Sequence, residues 1–129
     1  MKSVVLCGSK RFKSELRTFA KKLKEKGVVI FEPNLHSAGE QWGSLSDDYK
    51  NYIALGLTHD HFYKIRMADV LFLYNKEGYC GVSVTLELGY AVALGKPIYA
   101  LSDKDEELAR KILIREFITS PSELIKRLK

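Results

Sequence analysis

Apolar positions in this chain fall alternately into short runs and into helical stripes. Ser3 to Cys7 is a β-branched apolar run closed by Gly8-Ser9, as a buried parallel strand ends before a helix. From Arg11 to Lys26, Phe12, Leu16, Phe19, Ala20 and Leu23 recur at three- and four-residue spacing with lysines between, and Gly27 follows as a stop, so an amphipathic helix is predicted. Val28 to Phe31, ended by Pro33, is the next strand. The first third of the chain is therefore a β-α-β unit, whose crossover is right-handed and whose strands are parallel.

Positions 34 to 45 show no periodicity and predict a loop longer than a plain crossover needs, at a strand's carboxyl end, where loops often carry function. Ser46 to about Ala68 is helical, with Asp47 and Asp48 in the first turn where they complement the helix dipole; Gly56 leaves open a division into two pieces. Val70 to Tyr74 is a strand, Asn75 to Gly81 a turn-rich loop, Ser83 to Leu94 a buried helix closed by Gly95 and Pro97, and Ile98 to Leu101 a strand. Asp103 to Lys111 is predicted as helix and Ile112 to Ile118 contains a strand. Ser120-Pro121-Ser122-Glu123 is a capping box with proline at the first helical position, so a short final helix should follow. Strands alternating with helices, without repeat or linker, predict one domain over residues 1–129. Its architecture is a doubly wound three-layer α/β sandwich with a five-stranded parallel sheet in the order 2-1-3-4-5.

Composition narrows the class. With 129 residues the chain can bury a true core unaided, and 46% hydrophobic with 29% charged residues excludes collagen-like, low-complexity and disordered chains. The net charge of +5 comes from lysines and arginines scattered among acids, which argues against a nucleic-acid partner and fits attraction of phosphorylated metabolites to a cleft. Cys7 and Cys80 lie far apart with no CxxC or Cys/His spacing, so the sequence points to reduced thiols and to neither a zinc site nor a disulfide framework. The apolar run ending at Gly8 is too short, and too poor in flanking signals, to be read as a signal peptide or a membrane span, and a soluble cytoplasmic protein is expected.

In such a sheet, ligands bind beyond the carboxyl ends of the strands near the reversal in strand order. After the first strand stand Gly8, Ser9, Lys10 and Arg11: a close-approach glycine, a helix start, a hydroxyl and a guanidinium, which would suit a phosphate as well as a plain helix cap. The other loaded segment runs from Gly78 through Gly81 and Ser83 to Tyr90, and Glu87 is the one charged residue between Gly78 and Gly95. A carboxylate in an apolar helix is costly to bury and its pKa rises, unless it reaches back to cap its own helix. Ser83 and Thr85 are expected to cap that helix, Asp69 either ends its helix or lines the cleft, and Tyr79 and Tyr90 are core or rim aromatics that could stack on a base.

Cys7-Gly8-Ser9-Lys10-Arg11, Ile65 to Tyr74 with Ala68-Asp69, and Glu87-Leu88-Gly89-Tyr90-Ala91 followed by Gly95-Lys96-Pro97 resemble, in order and spacing, the nucleoside 2-deoxyribosyltransferase superfamily, which includes the 2′-deoxynucleoside 5′-phosphate N-hydrolases. The resemblance implies a flavodoxin- or Rossmann-like fold, assembly as a homodimer or larger homo-oligomer, and a nucleophile at Glu87 that forms a glycosyl-enzyme ester. It places the acid that assists the departing base four residues before Ile65, where this chain has His61 with Asp60 beside it. A shift by one residue to Asp60 would turn the carboxylate by roughly 100° around a helix, whereas His61, if protonated, could supply the proton. The expected function is cleavage or transfer of the N-glycosidic bond of a deoxynucleoside or, favoured by Ser9 and Arg11, its 5′-monophosphate, with no metal or organic cofactor required. The alternatives are a non-catalytic nucleotide-binding module that has lost its acid, and a nucleic-acid-associated protein using the positive charge. His59, Asp60 and His61 also suit a solvated helix face.

Overall fold

The computed structural model describes residues 1–35, 39 and 41–129. Its strands are β1 (Val4–Gly8), β2 (Ile30–Phe31), β3 (Val70–Tyr74), β4 (Ile98–Ala100) and β5 (Glu116–Phe117), all parallel in the order β2-β1-β3-β4-β5, as the sequence predicts. The helices are α1 (Lys13–Glu25), which follows a 3-10 turn over Lys10–Phe12, α2 (Gln41–Ser44), α3 (Asp47–Met67), α4 (Val82–Ala93), α5 (Leu108–Lys111) and α6 (Pro121–Leu128). No helix among the described residues is long and apolar enough to cross a membrane.

Strand alternation assigns each residue to a layer. From β1 and β3, Val4, Leu6, Val70 and Phe72 pack with Leu16, Phe19 and Leu23 of α1 and with Leu124 and Leu128 of α6. Their neighbours Val5, Cys7, Leu71 and Leu73 point the other way, into Ile65 of α3 and Val84, Leu88 and Ala91 of α4. Both faces of the sheet are thus covered, which is why β1 and β3 read as unbroken apolar runs.

Punctuation at the helix ends follows the sequence. Gly27 (φ 83°) and Gly95 (φ 70°) take the left-handed conformation that ends a helix at little cost to glycine. Ser46 Oγ accepts from the Tyr49 N–H at 3.2 Å and Ser120 Oγ from the Glu123 N–H at 3.3 Å, with Pro121 at the first turn of α6. Gly56 does not divide α3, because one glycine costs a helix only about 1 kcal/mol and 21 residues of continuous backbone bonding absorb it.

Two expectations change. The helix predicted from Asp103 shrinks to α5, since the acids there bond locally and end the helix register: Asp105 accepts from the Glu107 N–H at 2.9 Å and from Arg110 at 2.7 and 2.8 Å, and Glu107 caps Ala109 at 3.1 Å. The loop predicted over 34 to 45 lies partly outside the described residues, and its far end is helical as α2.

Candidate active site at the β1 and β3 switch

The strand order reverses between β1 and β3, and there three polar side chains meet. Cys7 is on the α3/α4 face of β1, opposite Leu73 in register. His61 lies four residues before Ile65, so both turn toward the sheet from one stripe of α3; they are the buried residues of that helix. Glu87 belongs to the stripe of α4 that buries Val84, Leu88 and Ala91. The His61 Nε2 is 3.1 Å from Cys7 Sγ and 3.4 Å from Glu87 Oε2. Glu87 does not cap its own helix; its carboxylate is held in the second turn by the other two groups.

Burial governs the charge states. It pushes Glu87 up to about 7, with a hydrogen bond from the Cys7 thiol drawing it partly back. It pulls His61 down to about 4, helped by the Lys64 charge and opposed by Asp60. A salt bridge between His61 and Glu87 would move both values the other way, so at neutral pH the imidazole is uncharged and the contact is a hydrogen bond. Burial also raises Cys7 well above the ordinary thiol value, with the Glu87 charge adding to it, so Cys7 remains a thiol.

The imidazole tautomer follows from its other nitrogen. Nδ1 of His61 is buried with no partner among the described residues. A stranded N–H is rarer than an unfilled acceptor, so the proton sits on Nε2, facing Glu87, and the thiol hydrogen of Cys7 is left to donate to the same carboxylate. The sulfur, nitrogen and oxygen lie within 4.8 Å of one another, a donor set that a borderline metal such as zinc could use despite the absence of a spacing motif. A metal on Nε2 would drive the proton to Nδ1, where such histidines normally find an acceptor and where none stands among the described residues. The cluster fits a shared proton better than a cation.

The other predicted residues are distributed around this centre. Gly8 ends β1, and a Cβ there would stand 3.0 Å from the Tyr74 carbonyl oxygen and 3.1 Å from Leu16, so close packing by itself favours glycine. Ser9 caps the 3-10 turn, its Oγ accepting from the Arg11 N–H at 3.2 Å. The Arg11 guanidinium stacks 3.6 Å from the centre of the Tyr79 ring, which places Tyr79 on the rim. Gly81 occupies the N-cap of α4 without a side-chain cap, and Ser83 is exposed. Thr85 does not cap either; its hydroxyl bonds back to the Gly81 carbonyl at 2.9 Å. Tyr90 stacks on Phe62 at 4.6 Å and accepts from Arg66 at 2.7 Å.

Two predicted residues are not brought to the cluster. Asp60 is half-exposed and pairs with Lys64 at 2.8 Å; one position from His61, it points off the buried stripe. A groove of about 320 Å³ lined by Arg17, Glu32, Pro33, Asn34, Leu35, Asp60 and Lys64 lies on that side, and Glu87 does not line it. Asp69 sits before β3 at the amino end of the sheet, where it accepts from the Ser3 N–H at 2.7 Å and the Ser3 hydroxyl at 3.0 Å. It clips the starts of β1 and β3 together, at the end opposite the carboxyl-end cleft. Cys7 is the residue that sequence reasoning passed over. Reading β1 with period two and asking which of its residues shares a face with Glu87 would have found it.

No protein-family model and no curated protein matches the chain. Solved structures do, and they identify the doubly wound sheet as a known type. The 2-deoxyribosyltransferase from the psychrotolerant bacterium Bacillus psychrosaccharolyticus aligns over 95% of this chain and 89% of its own with a TM-score of 0.65 at 16% identity. A conserved protein from Enterococcus faecalis V583 aligns over 99% of this chain and 97% of its own, also with a TM-score of 0.65, at 19% identity. The chain shares the fold of these two proteins.

Proposed function

We propose that the chain cleaves or transfers the N-glycosidic bond of a deoxynucleoside or its 5′-monophosphate, with Glu87 as the nucleophile. The observation that carries this reading is a buried carboxylate, held by a thiol and an imidazole, at the switch point of a fold shared with a 2-deoxyribosyltransferase. Desolvation sharpens a carboxylate as a nucleophile once it is ionised, and the ester formed at the anomeric carbon makes a metal or organic cofactor unnecessary. Ser9 and Arg11, beside the end of β1, are suited to a 5′-phosphate. Tyr52 and Leu55, both exposed on α3, favour assembly with a second copy.

Free base released from a panel of deoxynucleosides and their monophosphates tests the reading. Glu87→Ala should lower turnover by about 10³-fold or more while circular dichroism stays unchanged. Because His61 is neutral, activity should rise with pH as Glu87 ionises, with a midpoint near 7. The alternative of a non-catalytic nucleotide-binding module draws on the pairing of Asp60 with Lys64, which leaves that carboxylate out of the cluster. Measurable nucleotide binding without base release from any substrate would favour it.

A further inference from the structure

We propose, on the reading that Ser9 and Arg11 receive a 5′-phosphate, that Tyr79 is the positioning residue that sets the preference for phosphorylated over unphosphorylated deoxynucleosides, by holding the Arg11 guanidinium flat at the mouth of the cleft. The two residues come from different loops. Arg11 follows β1 and Tyr79 follows β3, neighbouring strands at the switch in strand order. Both loops adjoin the buried cluster: Cys7 stands four residues before Arg11, and the loop of Tyr79 runs into α4, which carries Glu87. The Arg11 guanidinium carbon lies 3.6 Å from the centre of the Tyr79 ring, so the contact joins the two loops across the switch point.

The ring is itself held. Phe12, buried in the turn that carries Arg11, meets Tyr79 edge-on with centroids 6.1 Å apart and meets Tyr74 in the same way at 5.9 Å. The hydroxyl end of the ring reaches the start of α4, where a Cβ at Gly81 would stand 3.9 Å from Tyr79 Oη. The loop behind the ring is pinned to its neighbour. Gly78, at φ 80°, lies so close to Lys104 that a Cβ would stand 2.4 Å from its carbonyl carbon. Asn75 Nδ2 donates to the Ser102 carbonyl at 2.9 Å and Asn75 Oδ1 accepts from the Ser102 N–H at 2.9 Å. Tyr79 thus projects from a fixed part of the chain, and the exposed Arg11 side chain takes its position from the ring.

A guanidinium stacked on a ring uses its face and keeps its edge. Its N–H donors lie in its own plane, in the fork that matches two phosphate oxygens. A mobile arginine loses rotamer freedom when it binds a phosphate, whereas one already laid on a tyrosine has lost much of it beforehand, so the stack favours binding. Ser9 fixes the backbone of the same residue, its Oγ accepting from the Arg11 N–H at 3.2 Å. A deoxynucleoside without phosphate has no group for the guanidinium edge and gains nothing from the stack.

The test compares each of the four deoxynucleosides with its 5′-monophosphate, by calorimetric affinity in the Glu87→Ala background, where neither is consumed. The monophosphate should bind the more tightly. Tyr79→Leu should reduce that preference by about three- to fivefold, with the loss falling on the monophosphate, and Tyr79→Phe, which keeps the ring face, should retain it. Arg11→Met should lower the preference by itself, and adding Tyr79→Leu to it should take the preference no lower. Equal weakening of both ligands by Tyr79→Leu, as a base-stacking or merely structural ring would give, overturns the inference. So does a Tyr79→Phe variant that behaves like Tyr79→Leu, a further loss when Tyr79→Leu is added to Arg11→Met, or no preference for the monophosphate at the outset. Base release by the protein with Glu87 intact tests the nucleophile separately: if none is seen while the affinity pattern holds, the role of Tyr79 stands and the reaction falls.

Discussion

On the face covered by α1 and α6, β1 and β3 present Val4, Leu6, Val70 and Phe72 to a layer that is apolar throughout, with Phe19 stacked on Phe72 at 4.7 Å. On the face covered by α3 and α4, the same strands present Val5, Cys7, Leu71 and Leu73 to a layer that admits His61 and Glu87 at its carboxyl end. The backbone is shared, so the difference comes entirely from residue parity and from which helix stripe lies above. One face holds the fold together. The other accepts the cost of a buried carboxylate where it can be used, with the dry face holding the strands in register beneath it.

Truncating one residue on each face should separate these duties. Phe72→Ala opens a cavity on the dry face and should cost about 3–5 kcal/mol in urea denaturation, with the pH midpoint of activity near 7 unchanged in the folded protein. Leu73→Ala, one position along and equally buried, should cost about 2–5 kcal/mol. Because Leu73 pairs in register with Cys7, the same cavity brings water toward Glu87 and should shift the activity midpoint downward. Equal midpoints in the two variants would erase the functional contrast between the faces.

The next effect is on stability and depends on pH. Glu87 is raised from 4.5 to about 7, so the unfolded chain loses its proton first; stability tied to this group is present below pH 4.5 and lost as pH rises through 7. His61 is lowered from 6.5 to about 4, so its contribution is present above 6.5 and lost as pH falls through 4. The two slopes oppose each other over pH 4.5–6.5. Glu87→Gln removes one of them. That variant should gain about 1–3 kcal/mol over the parent at pH 8, keep the acid-side loss due to His61, and lose turnover. No gain in thermal denaturation at pH 8 would mean that Glu87 is better solvated than its position implies.

Much of this contrast was legible in the sequence. Strand runs, helix stripes and glycine stops predicted the sheet order, because strands buried on both faces read as unbroken apolar runs and amphipathic helices as three- and four-residue stripes. Glu87 stood out as a lone charge in an apolar stretch. Cys7 did not, since a buried cysteine reads like any small apolar residue until the faces of β1 are assigned. Asp69 reads from the sequence as either a helix end or a cleft residue, because a position before a strand fits both in one dimension, and the pairing with Ser3 shows which end of the sheet it occupies. The acids from Asp103 to Glu107 looked helical by composition but bond to their own backbone and to Arg110.

The Asp69 clip offers a smaller contrast, between the two ends of the sheet. Asp69→Ala removes an acceptor from the Ser3 amide and hydroxyl and should cost about 1–2 kcal/mol. The carboxylate is held below its ordinary range chiefly by the Ser3 amide. Base release should be unaffected, since the clip is at the end away from Glu87; a fall in kcat/KM without loss of stability would return Asp69 to the cleft.

The smallest effect concerns α3, the helix that carries His61. Gly56 lies in its middle, and an added Cβ would meet nothing within 4 Å. Gly56→Ala should therefore stabilise the protein by about 0.5–1 kcal/mol, through the conformational freedom that glycine loses on folding. The turn containing Gly56 extends beyond the part of α3 buried on the sheet, so the gain should reach hydrogen-exchange protection over residues 50–58 first and leave His61 unmoved. If the substitution destabilises the chain instead, that surface of α3 is already in contact with another molecule, and the exposed Tyr52 and Leu55 beside it are where a second copy would sit.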